Sequence, residues 1–299
     1  MKTLSALITR NTKLFFKDKG MFFTALITPA ILLVLYATFL GKVYRDSFVS
    51  ALPPAVNMQD KLIDACVGGQ LISSILAVSC ITVAFCANML MVQDKAVGTL
   101  KDFTVSPVKG GILALGYYFA TLSSTLIICF TAVALCLGYI ALVGWYMSAA
   151  DVLLMFLDVI LLCLFGTALS SVINSFLSTQ GQMSAVGTIV SSGYGFICGA
   201  YMPISQFSSG LQTVISFFPG TYGTSIIRNR AMRGVFEALA SEGNLPGEVI
   251  NSIRDGIDCN IYFFGNSVPA WAMYAVVGGT VALLIVIYII LNILRNKKA

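Results

Sequence analysis

"QDKAVGTLKDFTVSPVKG", residues 93–110, is a polar stretch that reads as helix. Long apolar runs flank it, "GGQLISSILAVSCITVAFCANMLMV" before and "ILALGYYFATLSSTLIICFTAVALCL" after. Five of its residues are charged (Asp94, Lys95, Lys101, Asp102 and Lys109), in a chain where only 10% are. Two membrane-length runs joined by such a stretch point to a loop at a membrane surface, and the rest of the chain decides which surface.

The whole chain has the same character. It is 58% hydrophobic with a mean hydropathy of +0.88, whereas soluble domains carry about 25% charged residues. Six runs approach the roughly 20 apolar residues that a helical span needs: Met21–Leu40, Gly68–Val92, Ile112–Leu137, Val152–Ile173, Met183–Met202 and Val268–Leu294. Pro29 predicts a kink in the first. No run alternates as a barrel strand would. The expected fold is an all-α polytopic membrane protein with six transmembrane helices in one domain, residues 1–299.

Basic residues set the orientation. With the N-terminus inside, eleven Lys and Arg fall in inner segments and three (Lys42, Arg45, Lys61) in short outer loops. Both termini and residues 93–110 are therefore expected on the cytoplasmic side of the plasma membrane. The first 20 residues lack the compact apolar core of a signal peptide. Leu4, Leu7, Ile8 and Phe15 instead recur at helical spacing with Arg10, Lys13 and Lys17 elsewhere on the wheel, which predicts an amphipathic interfacial helix, the alternative being an unstructured basic tail. The net charge of +5 is spread over span ends, so no nucleic-acid partner is expected.

Within residues 93–110 a helix is expected over Gln93–Phe103, with Ala96, Leu100 and Phe103 on one face. It must stop near Ser106-Pro107, because a residue before proline disfavours helical geometry. Ser106 can cap, and Pro107 can open, the third span. A short helix joined rigidly to two spans can transmit a push into the membrane; the alternative is a solvated connector. The one sizeable extramembrane segment is residues 203–267. It holds an apolar piece, "LQTVISFFPG", able to dip back into the membrane, then an external helix in "TSIIRNRAMRGVFEALASEG", then "LPGEVINSIRDGIDCN".

Chemistry is sparse. There is no His, so no His-based nucleophile pair can be built. Six of the eight Cys fall in apolar runs, where cysteine acts as a small hydrophobe, and no C-x-x-C pair suggests zinc. Cys66 and Cys259 lie in expected outer loops and could form a disulfide. Asp158 lies inside the fourth span, where it could contact substrate or a proton, or serve as a hydrogen-bonded packing residue. In the fifth span Tyr194 and Phe196 could line a path for an apolar ligand, or simply pack. Arg228, Arg230 and Arg233 could attract anions or sit beside headgroups.

Two motifs resemble those of ABC type-two exporter permeases. "DKAVGTLKDFTVSPV" looks like their coupling-helix segment: Asp94, Lys95, Gly98, Thr99, Leu100, Phe103 and Ser106-Pro107, with Asp94 where the family usually has Glu. Gly199 and Pro203, followed by "FFPGTYGTSIIR" with Pro219, Tyr222 and Arg228, resemble the family's fifth-span end and re-entrant segment, with Ser208-Ser209 where a second Pro often stands. The resemblance covers nearly the whole chain. It implies a drug- or antibiotic-export-like permease that pairs with a second copy or homologue. Separate cytoplasmic ATPase subunits would hold ATP and Mg, and substrate would pass between the second and fifth spans. This chain has no G-x-x-x-x-G-K-[ST], so no cofactor of its own is expected. The competing classes are an ion-coupled secondary transporter or channel, which would want several intramembrane acids or an inverted repeat, and an intramembrane enzyme, which would want a catalytic pair. Within the class, a polysaccharide exporter is the rival.

Overall fold

The computed structural model describes residues 2–51, 59–100, 108–243 and 245–296. An amphipathic helix, α1 (Lys2–Lys17), opens the chain and buries Leu7, Asn11 and Phe15. Asp18 caps α2 (Lys19–Leu35) by accepting from the Met21 N–H at 3.1 Å. Pro29 lies inside α2, and the helix widens to a π-helical turn over Tyr36–Leu40 before α3 (Gly41–Ala51). Then come α4 (Asp60–Ala87), α5 (Met89–Val97), α6 (Gly110–Val143), α7 (Ala149–Ser175) and α8 (Gln180–Ile197). The remaining helices are α9 (Ser209–Ile215), α10 (Pro219–Ser241), α11 (Gly247–Gly256) and α12 (Ala270–Asn296). A two-residue hairpin, β1 (Tyr262–Phe263) with β2 (Asn266–Ser267), pairs Tyr262 with Ser267 and Phe263 with Asn266. Phe264 and Gly265 at its tip both have positive φ, as a tight hairpin turn requires.

Among the described residues, five helices are long and apolar enough to cross a membrane: α2 with its π turn, α4 running on into α5, α6, α7 and α12. They carry a wide exposed apolar surface, including Ile31, Val34, Leu135, Leu142, Leu157, Leu283 and Ile290. Water would not tolerate such a surface, and lipid would. The expected fifth span, Met183–Met202, is present as α8 but is not among these five. Its 18 residues reach about 27 Å, short of the roughly 30 Å hydrocarbon core. Gly199, with φ +69°, ends the run before Met202.

Helix α4 is the centre. Its apolar window is 89% buried, with α2, α6, α7, α8 and α10 packed round it. Helix α10 is not a surface helix. Gly223 sits against Leu162, well inside α7, and Tyr222, Ile226, Ile227 and Arg228 are all buried. Helix α10 thus packs back against the bundle, with α9 leading into it. Both termini lie at one end: α1 packs along the start of α6, and Tyr288, late in α12, donates to Met91 Sδ of α5 at 3.2 Å.

The helix expected over Gln93–Phe103 is cut in two. Helix α5 stops at Val97, and Gly98 takes φ +91°, a left-handed stop that only glycine adopts freely. Ala96 is exposed and Leu100 half-buried, so they do not form one inward face. Cys66 and Cys259, the pair that could form a disulfide, lie in one apolar cluster with Met232 and Leu239 and are both free thiols.

Candidate functional site

Two polar assemblies stand out, one at each end of the bundle. The first is built on Asp94 and Lys95. Asp94 is 7% exposed, a burial that a carboxylate tolerates only when paired. Arg10 of α1 reaches it with Nη1 at 2.8 Å and Nη2 at 3.3 Å, and Tyr117 Oη of α6 donates at 2.6 Å. The carboxylate in turn holds the Arg10 guanidinium above its ordinary range. Lys95 turns the other way. Its Nζ donates to the carbonyls of Asn174 (3.0 Å), Ser175 (2.8 Å) and Leu177 (3.2 Å). These are the end carbonyls of α7, where helix polarity favours a cation. Asn88, at the α4–α5 joint, donates to Ser170 and Ser171 Oγ, each at 3.2 Å. Thus α5 is bonded to α1, α6 and α7 at once. Leu100 packs against the apolar cluster that includes Leu7, Met91, Leu113 and Tyr117. Thr99 is half-buried and Val97 is exposed at the tip. Phe103, Ser106 and Pro107 lie outside the described residues.

The second assembly is centred on Arg228, which is 1% exposed. Its guanidinium donates to Gly199 O (2.8 Å), Ile257 O (2.6 Å) and Ser74 Oγ (3.1 Å), with Ser73 Oγ at 3.4 Å. Asp258 stands 3.6 Å away and accepts from the Ile204 N–H at 2.8 Å. Burial pushes Asp258 up to about 6, an effect that Arg228 and the backbone N–H groups offset only in part. Gly199 is required here: besides its positive φ, an added Cβ would lie 2.9 Å from Asp258 Oδ2. After it, Ala200 N and Tyr201 N both return to Gly195 O at 2.9 and 3.0 Å. Tyr36 and Tyr44 reach across from the π turn and α3 to the carbonyls of Ala200 (3.3 Å) and Tyr201 (3.1 Å). Pro203 precedes a tight turn over Ile204–Gln206, and Pro219 opens α10, a position suited to its fixed φ. Tyr222 Oη donates to Ser216 O at 2.6 Å, closing the α9–α10 corner. So Gly199, Pro203, Pro219, Tyr222 and Arg228 are brought into one region.

The other sequence candidates are dispersed. Tyr194 is half-buried, its ring against Gly220 and its hydroxyl buried without a partner, while Phe196 is half open and stacks edge-on against Tyr201 at 5.2 Å. Asp158 accepts from Tyr274 Oη at 2.6 Å and Arg230 Nε at 3.2 Å. Arg233 reaches Asp151 at 3.4 Å and Glu237 at 3.2 Å. Cys80, Cys129 and Cys163, from three different helices, bring their sulfurs within 4.8 Å of one another in the buried core. Sequence reasoning missed Arg10, Tyr117, Ser73, Ser74 and Asp258 as members of the two assemblies. Arg10 carried a signal, since a basic residue beside a buried stripe can reach inward. The serines carried none.

The helical bundle, with five helices long and apolar enough to cross a membrane and a wide exposed apolar surface, defines a polytopic membrane protein. The chain belongs to the ABC-2 type transporter family, whose model matches residues 2–230. It is therefore a membrane-spanning permease of an ABC transporter, a class that associates with ABC ATPase partners. No curated protein matches it.

Proposed function

We propose that this chain is the permease subunit of an exporter and that residues 93–110 couple it to a separate ATPase. In this reading a second copy or homologue completes the translocation path. Cytoplasmic ATPase subunits hold ATP and Mg beneath the segment, both termini face the cytoplasm, and the membrane is the plasma membrane. The observation that carries the reading is the clamp on Asp94 and Lys95. A displacement of the 93–100 segment must move α1, α6 and the end of α7, because α5 is hydrogen-bonded to all three. It must also move α4, whose Ser73 and Ser74 lie against Arg228. From Ser74 to Asp94 is about 20 residues, roughly 30 Å along α4 and α5, which meet at Asn88 and join the two ends.

The cargo in this reading is an amphipathic drug, antibiotic, peptide or lipid-like molecule. The open side of α8, with Ile189 and Phe196 at the surface, is the natural wall for it. Polysaccharide is disfavoured, because such a channel needs a wide polar lining and the spans taken together carry few polar residues. Asp158 has no transport role here, since Arg230 and Tyr274 engage its carboxylate.

The test is co-purification. Expressed with its neighbouring genes and extracted in mild detergent, the chain should bring down a stoichiometric ATPase. Deleting residues 94–103 should release that ATPase while leaving the bundle folded. A chain that retains its partner without those residues, or that never binds an ATPase, overturns the coupling assignment.

A further inference from the structure

A cavity of about 700 Å³ opens between α10, α11 and the first turn of α12. It belongs to neither assembly described above. Three arginines line it, Arg230, Arg233 and Arg254, with one carboxylate, Glu237. Arg230 and Arg233 already face acids. Arg254 is different. Its guanidinium lies over the Phe236 ring at 5.2 Å and donates to Asn229 Oδ1 at 3.1 Å. Its Nε is buried without a hydrogen-bond partner, and among the described residues no carboxylate forms an ion pair with it. The guanidinium thus carries a charge that no acid among the described residues pairs with, and an anion in the cavity would supply that partner. The remaining lining mixes apolar residues, Ile226, Val268 and Met273 among them, with the polar Asn260 and Ser267.

Depth identifies the ligand. The cavity meets α12 at Ala270, Met273 and Tyr274, where that span begins. Trp271 in the same turn is 74% exposed, and exposed tryptophan at a span end marks the membrane–water interface. An arginine-lined cavity with both polar and apolar walls at that depth matches a phosphate headgroup whose chains continue into the bilayer. We propose that this pocket seats the headgroup of an anionic phospholipid, with Arg254 as its principal contact.

The chain has two tryptophans, so a Trp145→Phe background leaves Trp271 as a local reporter. The full permease, reconstituted in vesicles, would be titrated with brominated-chain phosphatidylglycerol or brominated-chain phosphatidylcholine, reading quenching of Trp271. Phosphatidylglycerol should be preferred by about fivefold or more, as a charge-assisted contact implies. Arg254→Gln should reduce that preference to within about twofold. Ala240→Phe, which narrows the cavity without adding a second tryptophan and leaves every arginine in place, should do the same, and it decides the matter if Arg254→Gln fails to fold. Equal quenching by the two lipids, or a preference that survives both variants, overturns the site. A preference abolished by millimolar inorganic phosphate overturns the lipid assignment and makes this a soluble-anion site.

Discussion

The Asp94 end and the Arg228 end both set a cation against an acid, but in opposite surroundings. Arg10 keeps a third of its side chain accessible while Asp94 is nearly buried. Arg228 and Asp258 are both buried, and most of the cation's partners are backbone carbonyls and serine hydroxyls. A partly wet ion pair is weak and exchangeable. A dry cation held by several acceptors is costly to disturb, because each lost partner leaves desolvated charge behind. The difference suits a lever: contacts that can shift where the push arrives, and a fixed point where the re-entrant helices turn.

Removing the fixed point should have the largest effect. Arg228→Met leaves the Gly199 and Ile257 carbonyls without their donor and the buried Asp258 without its counter-ion, and we expect a loss of about 3–5 kcal/mol, read as a large drop in the thermal midpoint in detergent. A drop no larger than that of a surface substitution would erase the contrast between the two ends.

Acid should sharpen the contrast. The Asp258 pKa of about 6 lies above its unfolded value of about 3.9. The folded state therefore binds the extra proton, and stability from this group rises as pH falls through 6 toward 4. The thermal midpoint should increase over that window by the equivalent of about 1–3 kcal/mol. Asp258→Asn should flatten the profile, and an unchanged slope would assign it to other groups.

The smallest effect belongs to the other end. Lys95→Gln removes the cation from the α7 carbonyls, and near a partly solvated helix terminus that costs about 1 kcal/mol or less. Stability should barely change while ATP-dependent transport falls. A stability loss matching that of Arg228→Met would show that both ends are structural anchors of the same kind.

Much of this was legible in the sequence. Long apolar runs gave the spans, and the spacing of Asp94, Lys95 and Gly98 marked a segment joined to them. Its partners were not legible, because Tyr117 is 23 residues away, Lys95's acceptor Ser175 is 80 and Arg10 is 84. Only tertiary packing brings them together. Gly98 was read as one residue of a helical motif, whereas its backbone ends the helix. Met183–Met202 looked like a span because its glycines and serines do not interrupt apolar periodicity. Those same residues leave α8 polar, and Gly199 makes it short. The arginines after Pro219 looked external because arginine is rarely buried; Arg228 is the exception that serine hydroxyls and free carbonyls make possible.

The central claim is that the Asp94 clamp and the Arg228 end move as one. All eight cysteines are buried, and Leu211 on α9 is 43% exposed, so Leu211→Cys places a reactive thiol beside the re-entrant corner. The decisive measurement is its labelling rate by a membrane-impermeant maleimide in the reconstituted permease–ATPase complex, with and without ATP. The account predicts an ATP-dependent change in that rate that Asp94→Asn abolishes while the ATPase stays bound. A change that persists undiminished in Asp94→Asn would contradict it.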